Sequence, residues 1–375
     1  MNYQYQWKIK DIFVSKEALE YQVTHDILKK LALPYKIEND NLNNKGTSLI
    51  DSNKGIASFD KNTLWLLVNK GASLKKCPGT PDHICCGYKI FHIGTNCPID
   101  CSYCILQSYF NQPGLRIFVN IIEQLDEVAA HIRANPQNIF RVGTGEFTDS
   151  LALDHITGFS EIILPVFSTL PNAVLEFKTK TTNIEKVISL PFRDRVVLSW
   201  SLNSPYICAT EEKGASSLID RLKHARFCQD AGFITSFHFD PLIAHEKWEE
   251  HYQKTILLMG NYLDLNKIIW ISLGSFRYMP PLKEIIKQRH AKSVLLRGGE
   301  FIKGIDGKSR YFRKIRENFY STLNKMLCEL NNNLGIYLCM ETDLVWQRSL
   351  GWSPVNSAGL EKFLDDRAKL FWDIK

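Results

Sequence analysis

The sequence predicts an α/β fold built around a partial (β/α)6 barrel, and two features of its pattern support this prediction. Between residues 88 and 273, short runs rich in β-branched and aromatic residues alternate with longer helical patterns. The short runs are almost continuously apolar, which is typical of strands that a parallel sheet buries on both faces. Six strands are too few to close the usual eight-stranded cylinder, so we expect an open barrel with a lateral mouth.

The predicted strands and helices follow one another in order along this region. The strands cover residues 88–93, 139–143, 174–179, 196–202, 234–240 and 268–273, and the helical patterns cover residues 121–134, 149–169, 216–231 and 248–262. Parallel barrels carry their chemistry at the carboxyl ends of the strands. Polar residues gather after each predicted strand, so we expect the functional site at that end of the barrel.

Two flanking regions complete the predicted organisation. We predict an N-terminal accessory region at residues 1–76. It contains an amphipathic helix at 21–33, a polar, Asn-rich loop at 38–54 and an apolar strand at 64–68. The barrel is assigned to residues 77–290. Residues 291–375 predict a C-terminal α+β extension, with a hairpin turn at 304–307, a basic helix, a strand at 336–340 and a closing helix at 357–372. We expect this extension to cover one side of the open barrel.

Composition indicates a globular protein that remains in the cytoplasm. The chain has 375 residues, of which 45% are hydrophobic and 23% charged. It contains no apolar run long enough to span a bilayer, and its polar start lacks a signal-peptide core. Five of the ten cysteines lie in isolated positions, which favours a reducing compartment over a disulfide scaffold.

A cysteine motif follows the first predicted strand directly. Cys97, Cys101 and Cys104 have the spacing C-x-x-x-C-x-x-C. Three thiolates can ligate three irons of a [4Fe–4S] cluster, which leaves the fourth iron free to chelate a small molecule. An open coordination position marks a catalytic metal centre rather than a structural one. The alternative is a zinc site, whose fourth ligand would come from Cys77, Cys85, Cys86 or His92.

This spacing, with Tyr103 just before the last cysteine, resembles the signature of the radical S-adenosylmethionine superfamily. The resemblance implies a radical-SAM barrel with two cofactors, a [4Fe–4S] cluster and S-adenosyl-L-methionine (SAM). It also implies that reductive cleavage of SAM yields a 5′-deoxyadenosyl radical, which abstracts a hydrogen atom from the substrate.

Further stretches resemble the spore photoproduct lyase family, radical enzymes that repair a methylene-bridged thymine dimer in DNA. The matching stretches, in order between about residues 77 and 345, are 101–107, 178–180, 199–203, 239–241 with 248–250, and 270–274. The resemblance implies that the three motif cysteines bind the cluster, that Lys180 and Ser201 contact SAM, and that Tyr103 takes part in hydrogen transfer. Without the resemblance, the preferred interpretation of these last three residues is a solvated lysine, a strand-end serine and a packing tyrosine.

Two positions depart from the family pattern. Ile105 stands where the family has a second tyrosine, and Glu146 or Phe147 stands about where it has a cysteine that returns a hydrogen atom to the thymine radical. Glu146 is therefore a candidate acid, base or cofactor contact, whereas Asp149 could equally cap the following helix. Cys85 and Cys86 are open to three interpretations: an alternative thiol donor, a disulfide, or buried structural cysteines.

Positive charge is concentrated in residues 277–316. Residues 277–316 contain twelve Lys or Arg against three Asp or Glu, a local charge of +9 in a chain whose net charge is +6. Aromatic residues are interleaved with these cations, namely Phe276, Tyr278, Phe301, Tyr311 and Phe312. The combination suits phosphates and unstacked bases, although a solvated, charged helix face has the same charge pattern. With the family resemblance, we expect a monomer that binds DNA and a reductant protein such as flavodoxin or ferredoxin, but no membrane.

Two rival functions share parts of this pattern. The first is a radical SAM enzyme that acts on a modified nucleoside, a peptide or a small metabolite. The second is a non-catalytic, metal-containing nucleic-acid-binding protein. Metal content separates the second rival from an enzyme, because a [4Fe–4S] cluster contributes four irons and four sulfides, whereas a structural site takes one zinc.

Overall fold

The structure is a computed structural model that describes residues 8–38, 50–51, 55–56, 60–80, 82–110, 112 and 114–374. The polar loop predicted at 38–54 lies for most of its length outside the described residues. The strands are β1 (Asp11–Ser15), β2 (Tyr35–Glu38), β3 (Ile50–Asp51), β4 (Gly55–Ile56), β5 (Thr63–Leu67), β6 (Leu74–Lys76), β7 (Lys89–Phe91), β8 (Gly94–Thr95), β9 (Asp100–Cys101), β10 (Leu115–Phe118), β11 (Phe140–Gly143), β12 (Ala173–Thr179), β13 (Val196–Ser201), β14 (Glu212–Lys213), β15 (Ile234–Leu242), β16 (Ile268–Ser275), β17 (Arg277–Tyr278), β18 (Phe301–Lys303), β19 (Ser309–Tyr311) and β20 (Ile336–Leu338).

The helices lie mostly between these strands. They are α1 (Gln22–Leu31), α2 (Leu106–Tyr109), α3 (Ile121–Arg133), α4 (Asp154–Thr157), α5 (Phe159–Phe167), α6 (Glu185–Ser189), α7 (Pro205–Glu211), α8 (Leu218–Asp230), α9 (Trp248–Tyr262), α10 (Pro280–Arg289), α11 (Arg313–Leu330), α12 (Asp343–Leu350) and α13 (Ser357–Lys369). None of the helices in the described ranges is long and apolar enough to cross a bilayer.

The central sheet confirms the predicted open barrel. Among the described residues it has eight strands, in the order β20-β16-β15-β13-β12-β11-β7-β6. The six predicted strands form its parallel centre. Strand β20 extends the sheet in parallel at one edge, and β6 pairs antiparallel with β7 at the other. The sheet curls into a half-barrel. Ile84, which follows the edge strand β6, forms a bridge with Glu341, which follows the other edge strand β20.

The N-terminal sheet has the order β2-β1-β5-β10-β8 in the described chain, with β2, β1, β5 and β10 parallel. The two sheets do not divide at the predicted boundary, residue 76. Strand β6 ends at residue 76 but pairs in the barrel sheet. Strands β8 and β10 come after residue 76 and pair in the N-terminal sheet. Hydropathy along the chain marks strands without naming their partners, so it places such a boundary by sequence order alone.

One predicted helix is wrong as a single element. The stretch 149–169 forms two helices, α4 and α5, because Gly158 adopts a left-handed conformation with φ of 68° between them. The other three barrel helices correspond to α3, α8 and α9. The hairpin predicted around residues 304–307 is formed by β18 and β19, which pair antiparallel.

A buried carboxylate joins the strands inside the barrel. Glu176 on β12 is 3% exposed, and its Oε1 accepts hydrogen bonds from Ser199, Ser236, His238 and Trp270 at 2.5 to 3.1 Å. These donors lie on β13, β15 and β16. Burial alone would raise the pKa of Glu176, but the His238 imidazole and the two hydroxyls hold it well below its usual value. The charge is therefore fully hydrogen-bonded within the sheet.

Replacing Glu176 with Ala removes the acceptor shared by four buried donors. Each unsatisfied buried donor costs about 1–3 kcal/mol, so we expect the free energy of unfolding to fall by at least about 3 kcal/mol. Chemical denaturation measures the loss. The control is Glu329→Ala on α11, where the carboxylate is 66% exposed and the expected change is within about 0.5 kcal/mol. Equal effects of the two changes would contradict the role of Glu176.

Candidate functional site

The cysteine loop, residues 96–105, connects β8 to α2 at the end of the barrel where β7 finishes. Side chains fix its backbone from both sides. The ammonium of Lys61 donates to the carbonyls of Cys97 and Ile99 at 2.5 and 2.8 Å. The amide of Gln107 donates to the carbonyls of Cys101 and Ser102 at 3.1 and 3.2 Å. The loop is irregular, but its carbonyls are bonded, so the three cysteines have defined positions.

The three cysteines of the loop lie close enough for their charges to affect one another's pKa. Burial raises the pKa of Cys97 well above its usual value and that of Cys101 to about 12, and Cys104 raises both further. Lys61 opposes this effect at Cys97, and Lys180 opposes it at Cys101. Metal binding requires thiolates, and these two cations favour them.

This donor set fits an iron–sulfur cluster with one open iron. The loop offers three cysteine sulfurs, the ligand type that such clusters take. In the described parts of the chain, no group of three or more His, Cys, Asp or Glu side chains lies close enough together to hold a metal ion.

A buried ion pair supports the loop from beneath. The hydroxyl of Tyr103 donates to Glu212, which also pairs with Arg221. Both side chains of this ion pair are 0% exposed. Strand β14, which carries Glu212, pairs antiparallel with β9 of the cysteine loop. The Glu212–Arg221 pair was not predicted, since nothing in the local sequence distinguishes these residues from surface charges.

The predicted SAM contacts lie next to this assembly. The ammonium of Lys180 lies 5.7 Å from the centre of the Tyr103 ring. Burial lowers the pKa of Lys180, but Cys101 and Glu212 outweigh that effect and raise it above its usual value. Ser201 ends β13, and its carbonyl accepts from Arg221 at 2.9 Å. Lys180 and Ser201 thus adjoin the ion pair and the cysteine loop.

Asp149 organises the loop after β11. Its carboxylate accepts from the backbone N–H groups of Leu151, Ala152 and Lys180 and from the Thr179 hydroxyl, at 2.7 to 3.0 Å. The expected helix cap is therefore a cap on a turn, because α4 begins only at Asp154. These bonds tie the loop to the end of β12, where Lys180 lies.

Glu146 forms an ion pair with Lys178. The two side chains are 29% and 20% exposed. Burial lowers the pKa of Lys178, but the Glu146 carboxylate outweighs burial and keeps it well above its usual value. Glu146 therefore meets any ligand as half of an ion pair rather than as a free carboxylate.

The structure brings thiols close to Glu146 that the sequence separates from it. We call Cys77, Cys85 and Cys86 the cysteine trio; all three are free and partly buried. Cys77 and Cys86 pack against the cluster formed by Tyr88, Ile90 and Phe147. Burial and the Glu146 carboxylate both raise the pKa of Cys77. No local sequence pattern indicates this contact, because 61 to 70 residues separate the trio from Phe147.

The C-terminal extension contacts the cysteine loop. Just before the extension begins, Arg289 on α10 pairs with Asp100 at 3.0 Å. Glu211 accepts from Ser293 and from the backbone of Val294 at 2.8 and 2.9 Å, and also from Ser102 in the loop. The extension therefore covers the loop, as well as extending one edge of the barrel through β20.

Most aromatic residues of the basic stretch are buried, whereas the sequence pattern predicts that they face unstacked bases. Phe276, Tyr278 and Tyr311 are buried and pack with Phe301, so they cannot stack on bases. Phe312 is 48% exposed, and the hairpin exposes Ile302 and Ile305. Many of the cations form ion pairs, including Arg277 with Asp240, Arg310 with Asp306 and Arg316 with Glu341.

The supporting role of the Glu212–Arg221 pair under the cysteine loop can be tested by mutation. Arg221→Met leaves a buried carboxylate without its cation, and we expect the free energy of unfolding to fall by about 3–5 kcal/mol. Iron retention after reconstitution should fall as well, because the loop loses its support. Denaturation and iron analysis measure the two effects.

The matched control lies on the same helix. Arg226 on α8 forms an exposed i,i+4 pair with Asp230, with side chains 48% and 55% exposed. Arg226→Met should change the free energy of unfolding by no more than about 0.5 kcal/mol and leave iron retention unchanged. A stable Arg221→Met protein with full iron content would contradict the supporting role of the pair.

The chain matches known proteins along most of its length. It matches the family model described as Spore photoproduct lyase over residues 7–326. A spore photoproduct lyase of Geobacillus sp. (strain Y412MC61) is 26% identical over 207 residues, a match that spans 54% of this chain and 60% of that protein. The match therefore covers less than two thirds of that relative. A spore photoproduct lyase of Clostridium acetobutylicum is 22% identical over 330 residues, or 84% of this chain and 94% of the relative.

Solved structures share the fold. A spore photoproduct lyase complexed with dinucleoside spore photoproduct superposes with a TM-score of 0.73 at 21% identity, over 88% of this chain and 99% of the other. A double mutant with bound AdoMet and dinucleoside spore photoproduct has a TM-score of 0.72 over 90% of this chain and 99% of the other. The predicted half-barrel is thus confirmed by structures as well as by strand order. Because the family match covers well over half of its residues, the chain belongs to the spore photoproduct lyase family.

Proposed function

We propose that this chain is a radical SAM lyase that repairs a thymine-dimer-type lesion, the spore photoproduct, in DNA. The observation that supports this proposal is that the cysteine loop, Lys180 and Ser201 come together at the Glu212–Arg221 pair, in a chain of this family. These groups lie at the carboxyl ends of the barrel strands and in the loop between β8 and α2, where parallel barrels place their chemistry.

The chain's own residues hold and orient the two cofactors in this proposal. Cys97, Cys101 and Cys104 hold the [4Fe–4S] cluster, while Lys180 and Ser201 contact SAM. When bound, the cluster and SAM supply a 5′-deoxyadenosyl radical that abstracts a hydrogen atom from the lesion. A protein such as flavodoxin or ferredoxin donates the electron, and the enzyme works as a monomer.

Tyr103 remains the proposed hydrogen-transfer residue. Its hydroxyl donates a hydrogen bond to Glu212, so the phenolic hydrogen has a defined position. Burial and Glu212 both raise the pKa of Tyr103 well above its usual value, which keeps the phenol protonated at neutral pH. The bond also fixes the ring beneath Lys180.

A thiol of the cysteine trio returns the hydrogen atom that completes the repair. Homolysis of its S–H bond supplies the hydrogen atom that forms the new C–H bond on the thymine radical and leaves a thiyl radical. One electron from the reductant protein and one proton from solvent restore the thiol. Cys77 and Cys86 suit this step because they pack against the hydrophobic cluster that contains Phe147. The Glu146 carboxylate also raises the pKa of both thiols.

The hairpin of β18 and β19 is the proposed contact with DNA near the lesion. Its exposed apolar residues, Ile302 and Ile305, are 45% and 76% exposed and can enter the space beside an extruded base. Lys303 in the hairpin and Arg313 and Lys314 at the start of α11 are exposed cations that suit backbone phosphates. The buried aromatic residues support the hairpin from behind.

The first test is SAM cleavage with a synthetic dinucleoside spore photoproduct. After anaerobic reconstitution and reduction, we expect about four irons per chain, formation of 5′-deoxyadenosine and release of thymine. Cys101→Ala should abolish all three results, whereas Cys328→Ala, a change on α11, should leave them unchanged. Deoxyadenosine without thymine would favour the rival with another substrate, and one zinc per chain would favour the binding protein.

The hydrogen source is tested by isotope incorporation. Thiol protons exchange with solvent, so repair in D2O should place one deuterium in the products of each repaired lesion. Replacing the donor of the trio with Ser should reduce this incorporation severalfold while SAM cleavage continues. Cys77→Ser, Cys85→Ser and Cys86→Ser are compared singly with Cys328→Ser. Undiminished incorporation in all three single variants would contradict a donor in the trio.

A further inference from the structure

We infer that a cavity at the carboxyl edge of the N-terminal sheet is a binding site for a phosphate group. The cavity has a volume of about 280 Å³. It is bordered by the residues that follow β1 and β5 and by the end of β10, and its remaining wall includes His92, Thr95 and Arg116. None of these residues belongs to the cysteine loop described above, except that Thr95 precedes it directly.

The topology of the sheet places this cavity at a crevice. Strand β1 lies between β2 and β5. The chain leaving β1 continues to β2 on one side. The chain leaving β5 passes through β6 and β7 of the barrel sheet and returns to the N-terminal sheet as β8 and β10, on the other side of β5. The loops after β1 and β5 therefore part in opposite directions. In open parallel α/β sheets, ligands bind in such a crevice outside the carboxyl ends of the strands.

A buried cation faces this crevice. Arg116 on β10 is 6% exposed, and its guanidinium lies 5.8 Å from the centre of the Trp65 ring. Trp65 in turn stacks on Phe13 at 4.4 Å, so the guanidinium has a rigid support. Burial lowers the pKa of Arg116 to about 10, and no carboxylate within the described residues opposes this effect. A charge held this way favours an anion as its partner.

Two buried polar groups in the same wall also lack partners. His92 and Thr95 are each 6% exposed, and neither Nε2 of His92 nor Oγ1 of Thr95 has a hydrogen-bond partner in the described structure. The Lys75 ammonium lies 2.7 Å from Nδ1 of His92. An ammonium only donates, so Nδ1 accepts and the neutral imidazole carries its proton on Nε2. The wall therefore offers an N–H and a hydroxyl besides the guanidinium.

These donors match a phosphate in chemistry and size. A guanidinium presents a planar fork that fits two phosphate oxygens, and the other two donors reach the remaining oxygens. The volume is slightly below the roughly 300–1,000 Å³ of pockets that take a whole small molecule. The carboxylate of Glu17 also borders the cavity, but it pairs with Lys70 at 2.6 Å in a half-exposed position and does not neutralise Arg116.

The phosphate can come from a DNA strand or from a free nucleotide. The DNA source rests on the proposed function, whereas the nucleotide source does not. Contacts between rings connect the cavity to the proposed active site, since Phe147 lies 5.0 Å from His92 and 5.8 Å from Phe110, which also lines the cavity. A strand whose lesion enters the barrel would thus have a phosphate binding site beside Glu146.

Calorimetric titration of the reconstituted protein tests the site. The probes are inorganic phosphate, AMP and a short single-stranded oligonucleotide without a lesion, each titrated without reductant so that no turnover occurs. We expect Arg116→Met to weaken binding about tenfold or more, because a charge-assisted hydrogen bond is lost. Thr95→Val keeps the side-chain shape, and we expect a loss of about threefold. Arg226→Met on α8 is the control.

Each outcome distinguishes one possibility. Weaker oligonucleotide binding in Arg116→Met and Thr95→Val supports the site with DNA as the source of the phosphate. Weaker binding of phosphate and AMP alone supports the site with a free nucleotide as the source. Failure of every probe to bind, or equal affinity in the wild type and both variants, overturns the inference. Because the titrations involve no SAM cleavage, an inactive lyase and a missing phosphate site are separate results.

Discussion

The arrangement of the candidate site depends on a carboxylate that is entirely removed from water. Glu212 pairs with Arg221 and accepts the Tyr103 hydroxyl, and neither side chain of the ion pair is exposed. Isolated charges are costly inside a protein, so this pair is stable only while both partners and their hydrogen bonds are in place. Because Arg221 also donates to the Ser201 and Ser216 carbonyls, the same pair connects a barrel strand, α8 and the cysteine loop.

A second buried carboxylate performs a comparable task in the sheet. Glu176 accepts from residues on three neighbouring strands, and its position inside the half-barrel places these donors around one oxygen. An open barrel lacks the continuous hydrogen bonding of a closed cylinder, and its edges need other support. Here the bridge between Ile84 and Glu341 joins the two edges, and Arg316 holds Glu341 at 2.8 Å.

The flanking regions contribute to the site rather than merely surrounding it. Strand β8, directly before the cysteine loop, and β10, which follows α2, belong to the N-terminal sheet, so this sheet flanks the loop. The C-terminal extension reaches the same loop through Glu211, which accepts from Ser293 and Val294 of the extension and from Ser102 of the loop. In the basic stretch, Phe276, Tyr278, Phe301 and Tyr311 form a packed core under the hairpin, whereas Phe312 and several of the cations are exposed.

Only the family resemblance pointed to Lys180 and Ser201. The sequence by itself determined the six parallel strands and the cysteine motif with Tyr103. Each of these is a local property, because apolar runs and ligand spacing are read within a few residues. Only the tertiary structure decided which distant groups meet. It placed Glu212 against Arg221, Cys77 and Cys86 beside Phe147, and His92, Thr95 and Arg116 around one cavity. Such contacts depend on the curl of a sheet and on the order of its strands, and residues far apart in sequence carry no local signal of either.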